Sequence, residues 1–216
     1  MKQERYENLD GIRVYACIGI VLMHVLANGN FGLAGVLFEK IIPSFTNFTY
    51  LFMVLSAFSM CCGYYEKIKN GTWDLENFYK RRYQRIWLFF AVLCTLELVV
   101  EHSLTALYEW VADLTLAFGL LPNPNISVVG VGWFLGVIFA FYMIFPFFVF
   151  LFSNKKRAWF VLLITVVLNI LCRVYFFDTD HVITGYMART NIIYCSIFFS
   201  LGGIIYLFRK EIIDFT

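Results

Sequence analysis

Charged residues are scarce in this sequence. Asp, Glu, Lys and Arg make up 15% of its 216 residues, whereas a soluble domain averages about 25%. Hydrophobic residues reach 61%, and several uncharged runs exceed the ~18 residues that mark a membrane-spanning helix. This composition argues against a soluble globular protein. It predicts a single domain over residues 1–216, folded as an all-α, polytopic integral membrane helix bundle.

The signatures of metal and nucleic-acid binding are also missing. The six cysteines form no Cys-x-x-Cys pair and lie in apolar segments, so we interpret them as small packing residues. No basic stripe with interleaved aromatic residues occurs outside the loops, so nucleic acid is not an expected partner. Asp178, Asp180 and His181 are interpreted as a solvated loop, because a cation site needs more ligands than these. We therefore predict no metal site.

Seven hydrophobic segments follow one another along the chain. They cover about 9–27, a stretch within 41–65, 80–100, 104–121, 131–152, 158–177 and 190–208. The segment at 104–121 is the most polar of them, and its Glu109 and Asp113 are four residues apart on one helical face. Such a pair is costly against lipid, which argues that this segment does not cross the bilayer exposed to it.

The basic loops lead to the same topology. Lys and Arg gather in loops 66–85, 155–157 and 209–210, and short cytoplasmic loops are enriched in both residues. All three loops are cytoplasmic only if 104–121 is re-entrant or interfacial. We predict six full spans with both termini in the cytoplasm; the oligomeric state is left open.

Two ionisable residues lie in the first hydrophobic segment. Arg13 and His24 are eleven residues apart, so on a helix they share a face to within about 20° and are separated by about 16 Å. Both would then line one interior tunnel. A snorkelling arginine and a packed core histidine are an equally open interpretation, although ionisable residues within spans are functional by default.

Arginines also enter the third span. In "FYKRRYQRIW", Arg82 and Arg85 are three residues apart on one helical face, and Arg81 neighbours Arg85. Guanidinium groups bind phosphate through paired hydrogen bonds. The alternative is an ordinary cytoplasmic orientation signal, although that signal does not require two arginines on one face running into the apolar segment.

Four stretches together resemble the membrane-bound acyltransferase-3 family. "LDGIRVYACIGIVLMH" is similar to its first helix, with arginine, ten residues and then histidine. "YLFMVLSAFSM" resembles its second helix, "FYKRRYQRIW" its Arg-x-x-Arg entry to the third, and "GVGWFLGVIFAFYMIFPF" its Trp-x-Leu helix. The four occur in order over residues 9–147.

This resemblance implies transfer of an acyl group, commonly acetyl, from cytoplasmic acyl-coenzyme A to a hydroxyl of an envelope glycan or another small acceptor. His24 would be the catalytic histidine and Arg13 its motif partner, while Arg82 and Arg85, with Arg81 beside them, would hold the phosphorylated donor. Coenzyme A is here a substrate, and we expect no bound cofactor. The lipid bilayer, the donor and the acceptor are the expected partners, and the bacterial inner membrane is the expected location.

The sequence departs from the family pattern at a few positions. Ala57 stands where glycine is frequent, Ile138 where an acidic residue is frequent, and Trp87 follows the arginines where proline is common. The family bundle has more helices than these residues supply, so we expect its C-terminal helices to be absent here. Two alternatives stay open, an export component for an acylated polysaccharide and an inactive truncated member.

Overall fold

A computed structural model describes residues 6, 8–116, 118–120, 132–178, 180–182 and 187–215. All regular structure in these ranges is helical, and 85% of the described residues are in helices. The helices are α1 (Asn8–Asn28), α2 (Leu37–Lys69), α3 (Leu75–Glu101), α4 (Leu104–Leu114), α5 (Trp133–Leu151), α6 (Lys155–Phe176), α7 (Ile192–Leu207) and α8 (Arg209–Phe215). The predicted all-α architecture is confirmed.

Local sequence sets where several helices begin. At four of them a polar side chain accepts a hydrogen bond from the backbone N–H three residues later, which satisfies a donor that the helix cannot. These caps are Asp74, Ser103, Asn154 and Asn191. The far end of α3 is closed by His102, which adopts the left-handed conformation at φ 47° and turns the chain toward α4.

The core lies between α2, α5 and α7. At Gly202 of α7, an added Cβ would come within 2.3 Å of the Val54 carbonyl oxygen and 2.6 Å of the Ala57 methyl group. Only glycine therefore permits this approach of α7 to α2. On the α5 side, the rings of Phe141 and Phe199 stack with centroids 4.5 Å apart.

The first helix runs antiparallel to α2. Near its start, Arg13 donates a hydrogen bond to Ser59 Oγ in the second half of α2. Further along, Gly19 faces Phe48, whose ring would lie 2.4 Å from a Cβ at this position. The glycine thus lets α1 lie close against the first half of α2, which brings the His24 end of α1 to the start of that helix.

The three basic loops lie at one end of the bundle, called here the basic end. The Tyr65 hydroxyl, just before loop 66–85, donates a hydrogen bond of 2.7 Å to the Phe152 carbonyl, just before loop 155–157. In turn, Lys155 forms an ion pair with Glu211, directly after loop 209–210. The arrangement agrees with the sequence prediction that these loops share one side of the membrane.

The connection between α3 and α5 does not carry the chain across the bundle. Helices α3 and α5 are antiparallel, since Phe78 stacks on Phe145 at 5.9 Å and Tyr83 contacts Phe139 at 5.8 Å. Helix α5 therefore runs opposite to α3, back toward the basic end. With 11 residues, α4 is about 16 Å long, too short for a hydrocarbon core of ~30 Å.

Helix α4 folds back along α3 instead of leaving the bundle. The Leu114 carbonyl accepts hydrogen bonds from Tyr83 Oη at 2.6 Å and Trp87 Nε1 at 2.9 Å. Asp113 is 1% exposed, with its carboxylate 3.8 Å from Cys94 Sγ, and Glu109 is partly buried. The predicted avoidance of lipid by this acidic pair thus has a structural basis.

Five helices in the described part are long and apolar enough to cross a membrane: α1, α2, α3, α5 and α6. A sixth span is obtained if α7 and α8, which meet at a bend of 65°, count as one. The structure thus supports an integral membrane bundle of five or six spans, and the predicted six remain a prediction.

Single cysteines placed in a variant without the native six test the topology. Asn70→Cys and Asn154→Cys, at the basic end, should both react with an impermeant thiol reagent added from the cytoplasmic side. Asn30→Cys, beyond the far end of α1, should react only from the other side. Asn123, in the α4–α5 connection, would also suit this labelling, but it lies outside the described residues. Labelling of positions 70 and 154 from opposite sides would contradict the fold.

Candidate functional site

A cavity of about 350 Å³ lies at the end of the bundle opposite the basic end. We call it the His24 pocket. Helices α1, α2 and α5 and the segment before α7 line it through Cys17, Ile20, Met23, His24, Thr46, Thr49, Phe52, Trp133, Phe134 and Arg189. Most of these side chains are apolar, so the few polar groups decide what the pocket can bind.

The His24 side chain is partly buried and faces this pocket. Within the described ranges, no residue hydrogen-bonds its imidazole; its main-chain carbonyl accepts a hydrogen bond from Asn28 Nδ2 at 2.8 Å. The ring nitrogens are therefore open to a ligand in the pocket. A core histidine held by a neighbouring helix, the simpler sequence interpretation, would show such a bond.

Arg13 does not line the His24 pocket. Its guanidinium forms an ion pair with Asp10 at 2.7 Å and donates to Ser59 Oγ of α2. Ser59 and Phe52, a wall residue of the pocket, are seven residues apart on α2. They therefore share a face to within about 20° and lie about 10 Å apart. Arg13 thus sits beside the pocket, displaced toward the basic end.

The three predicted phosphate-binding arginines meet in one groove at the basic end. Its volume is about 420 Å³, and its lining consists of Tyr64, Arg81, Arg82, Gln84 and Arg85. We call it the arginine groove. Arg81 and Arg85 are exposed, which leaves their donors available to an anion from the aqueous side.

Arg82 is fixed by aromatic rings. Its guanidinium carbon lies 5.1 Å from the centroid of Tyr64, 5.9 Å from Phe78 and 5.6 Å from Tyr142. Its Nε atom is buried and has no hydrogen-bond partner in the described part of the chain. An ordinary orientation signal needs neither a ring cage nor an unsatisfied buried donor, so both features favour a binding role.

The groove and the pocket are separate recesses on α2. Tyr64 and Phe52, one from each, are twelve residues apart, which corresponds to about 18 Å along the helix and a rotation of about 120°. The two share no lining residue. Arg13 lies between the two recesses in depth. The structure thus brings Arg81, Arg82 and Arg85 together in the groove and places His24 in the separate pocket. A continuous tunnel past Arg13 stays a prediction.

The sequence profile of the family described as "Acyltransferase domain" matches residues 6–216. The chain belongs to the acyltransferase-3 family. Searches among curated proteins and among solved structures found no match. Together with its long apolar helices, membership identifies the chain in general terms as a membrane acyltransferase.

The positions at which the sequence was expected to depart from the family pattern lie mainly in the packed core. Ala57 and Ile138 are 0% and 3% exposed, and neither lines the pocket or the groove. Trp87 is used structurally, since its indole N–H bonds the Leu114 carbonyl. These substitutions therefore leave both recesses intact.

The sequence had not indicated three polar residues that line the His24 pocket, and one of them, Arg189, is charged. Arg189 ends the stretch that had been interpreted only as a loop, yet its guanidinium lies over Trp133, 5.2 Å from the ring centroid, and donates to Thr46 Oγ1. Its position could have indicated a binding role, because Arg189 stands just before an uncharged helix. Arg82 and Arg85 were selected from the sequence for a similar position.

The "DTDH" loop shows bonding typical of a turn. Asp178 Oδ1 accepts from His181 Nδ1 at 2.6 Å and from the backbone N–H groups of Asp180 and His181 at 3.1 Å. The hydrogen bond from His181 lowers the pKa of the Asp178 carboxyl. This carboxylate is engaged within its own turn, in agreement with a solvated loop, and no group of three metal-ligating side chains occurs in the described residues.

Proposed function

We propose that this acyltransferase moves an acyl group, acetyl in the simplest case, from cytoplasmic acyl-coenzyme A to a hydroxyl of an envelope glycan or another small acceptor. The protein would work in the bacterial inner membrane with its N-terminus in the cytoplasm. The observation that carries the proposal is the placement of an unbonded imidazole, that of His24, in a mainly apolar pocket of a protein that belongs to this family.

His24 serves as the general base. The acceptor hydroxyl gives its proton to the imidazole as its oxygen attacks the thioester carbonyl carbon, and the carbonyl oxygen becomes an oxyanion. When this intermediate collapses, the carbon–sulfur bond breaks and the coenzyme A sulfur takes the proton from His24. The products are the ester and free coenzyme A, and the imidazole returns to its neutral form. Imidazole suits this cycle because its pKa lies near neutrality in the absence of other effects.

The donor phosphates bind in the arginine groove. Coenzyme A carries a pyrophosphate and a ribose phosphate, and guanidinium groups pair with both through charge-assisted hydrogen bonds. Arg81 and Arg85 are exposed to the aqueous side, while the ring-caged Arg82 offers a buried N–H without a partner. The arm of coenzyme A would carry the thioester past Arg13 and over the ~18 Å to the His24 pocket.

Replacement of the base should remove the chemistry and spare binding. In His24→Ala, acyl transfer from acetyl-coenzyme A should fall by about 10²–10⁴-fold, the typical contribution of a general base. Turnover is followed as release of the coenzyme A thiol by membrane vesicles that contain the protein. Donor affinity should stay unchanged, because the arginine groove does not include His24.

A matched control separates this effect from a general loss of histidine. His102→Asn alters an exposed histidine at the end of α3, and asparagine tolerates the left-handed backbone there. This variant should transfer acyl groups normally. Near-normal turnover in His24→Ala would remove His24 from the mechanism.

The arginine groove can be tested with a substitution that conserves charge. Arg85→Lys should raise the dissociation constant of coenzyme A roughly ten- to a hundredfold, since a charge-assisted hydrogen bond contributes about 1.5–3 kcal/mol. Lysine keeps the orientation signal, because insertion counts both residues alike, but it cannot reproduce the planar guanidinium fork. The measurement is a binding titration on purified protein.

Arg157→Lys provides the control, since Arg157 is exposed in the first turn of α6 at the basic end. That change should leave donor affinity unaltered. If Arg85→Lys binds coenzyme A as tightly as the unmodified protein and inserts with the same topology, Arg85 has only an orienting role.

A further inference from the structure

Arg189 is the one cation among the residues that line the His24 pocket. Its guanidinium donates to Thr46 Oγ1 and, at 3.3 Å, to Met187 Sδ, and its plane lies over the ring of Trp133. Trp133 is itself only 8% exposed. Arg189 is thus held in position by neutral groups from α2, α5 and its own segment.

No described carboxylate neutralises this cation, because the described ion pairs all involve other residues. The neighbouring ranges 121–131 and 183–186 contain no Asp or Glu in their sequence. A partly buried cation among apolar side chains is costly unless it meets negative charge. The pocket is therefore complementary to negative charge that a ligand brings or develops.

The donor's phosphates are not the source of that charge, since the arginine groove that suits them lies at the basic end. A thioester and a hydroxyl are both neutral before they react. Negative charge arises in the pocket during the reaction, on the carbonyl oxygen, when the hydroxyl oxygen attacks the carbonyl carbon. A positioned donor aimed at that oxygen is the usual companion of a general base in acyl transfer.

We propose that Arg189 stabilises the oxyanion of the acyl-transfer intermediate while His24 holds the acceptor's proton. The inference rests on the proposed function and deepens it. The guanidinium N–H groups donate to the oxyanion when the carbon–oxygen bond forms, and they release it as the carbon–sulfur bond breaks. Thr46 and Trp133 act as positioning residues, because they hold the guanidinium without neutralising it.

Kinetics of three variants test this role. Arg189→Gln should lower kcat by about 10²–10³-fold, the usual loss when one oxyanion donor is removed, and should leave the dissociation constant of coenzyme A unchanged. Arg189→Lys should recover part of the loss because it restores the charge. Arg173→Gln is the control, an exposed arginine in the last turn of α6 that lines neither recess, and it should keep the normal kcat.

Several results would overturn the inference. One is a kcat for Arg189→Gln within a few-fold of the control; another is a loss confined to KM, which would indicate a subsite for an anionic substrate instead. If Arg189→Gln fails to fold, as loss of coenzyme A binding would show, Thr46→Val tests the role instead. A kcat about tenfold lower in Thr46→Val supports the role, and an unchanged kcat refutes it. Absence of acyl-coenzyme A turnover in the unmodified protein would refute the proposed function as well, whereas turnover that needs His24 and ignores Arg189 would refute this inference alone.

Discussion

The antiparallel contact of α1 with α2 is the interaction on which the candidate site depends. Arg13 lies near the start of α1, where an arginine that faces lipid costs less than the ~2.5–3.5 kcal/mol of a central one but still favours a polar partner. Its hydrogen bond to Ser59 supplies that partner, and the close approach at Gly19 lets α1 lie against α2. The same two contacts fix the rotation of α1, and that rotation turns His24 into the pocket formed by α2, α5 and the segment before α7.

The bundle separates two kinds of electrostatic recognition by depth. The arginine groove opens at the basic end, where exposed guanidinium groups meet water and can attract an anion. The His24 pocket lies at the opposite end among apolar side chains, where a charge–dipole or charge–charge interaction is far stronger than in water. The proposed phosphate binding and the proposed acyl transfer make opposing demands on the surroundings. A distance of about 18 Å along α2 allows both in one small protein.

The sequence predicts the helices well because hydrocarbon leaves the backbone few choices. An uncharged run of sufficient length has to satisfy its own hydrogen bonds, so runs such as 131–152 become helices with nearly the expected bounds. The convergence of the basic loops and the return of the chain through α4 follow from the same cost of burying charge. The composition of the pocket was harder to predict, since Arg189 meets Thr46 from 143 positions away and no periodic pattern links them. The spacing of Arg13 and His24 along α1 also does not show that the groove and the pocket lie on different faces of α2.

In the proposed reaction, one donor molecule reaches from the arginine groove to the His24 pocket. An experimental structure of the protein with a non-reactive thioether analogue of acetyl-coenzyme A tests it most directly. We expect the phosphates on Arg82 and Arg85 and the carbonyl group of the analogue in the cavity between His24 and Arg189. An analogue whose phosphates bind elsewhere, or whose carbonyl group stays at the basic end on the far side of Arg13, would contradict it.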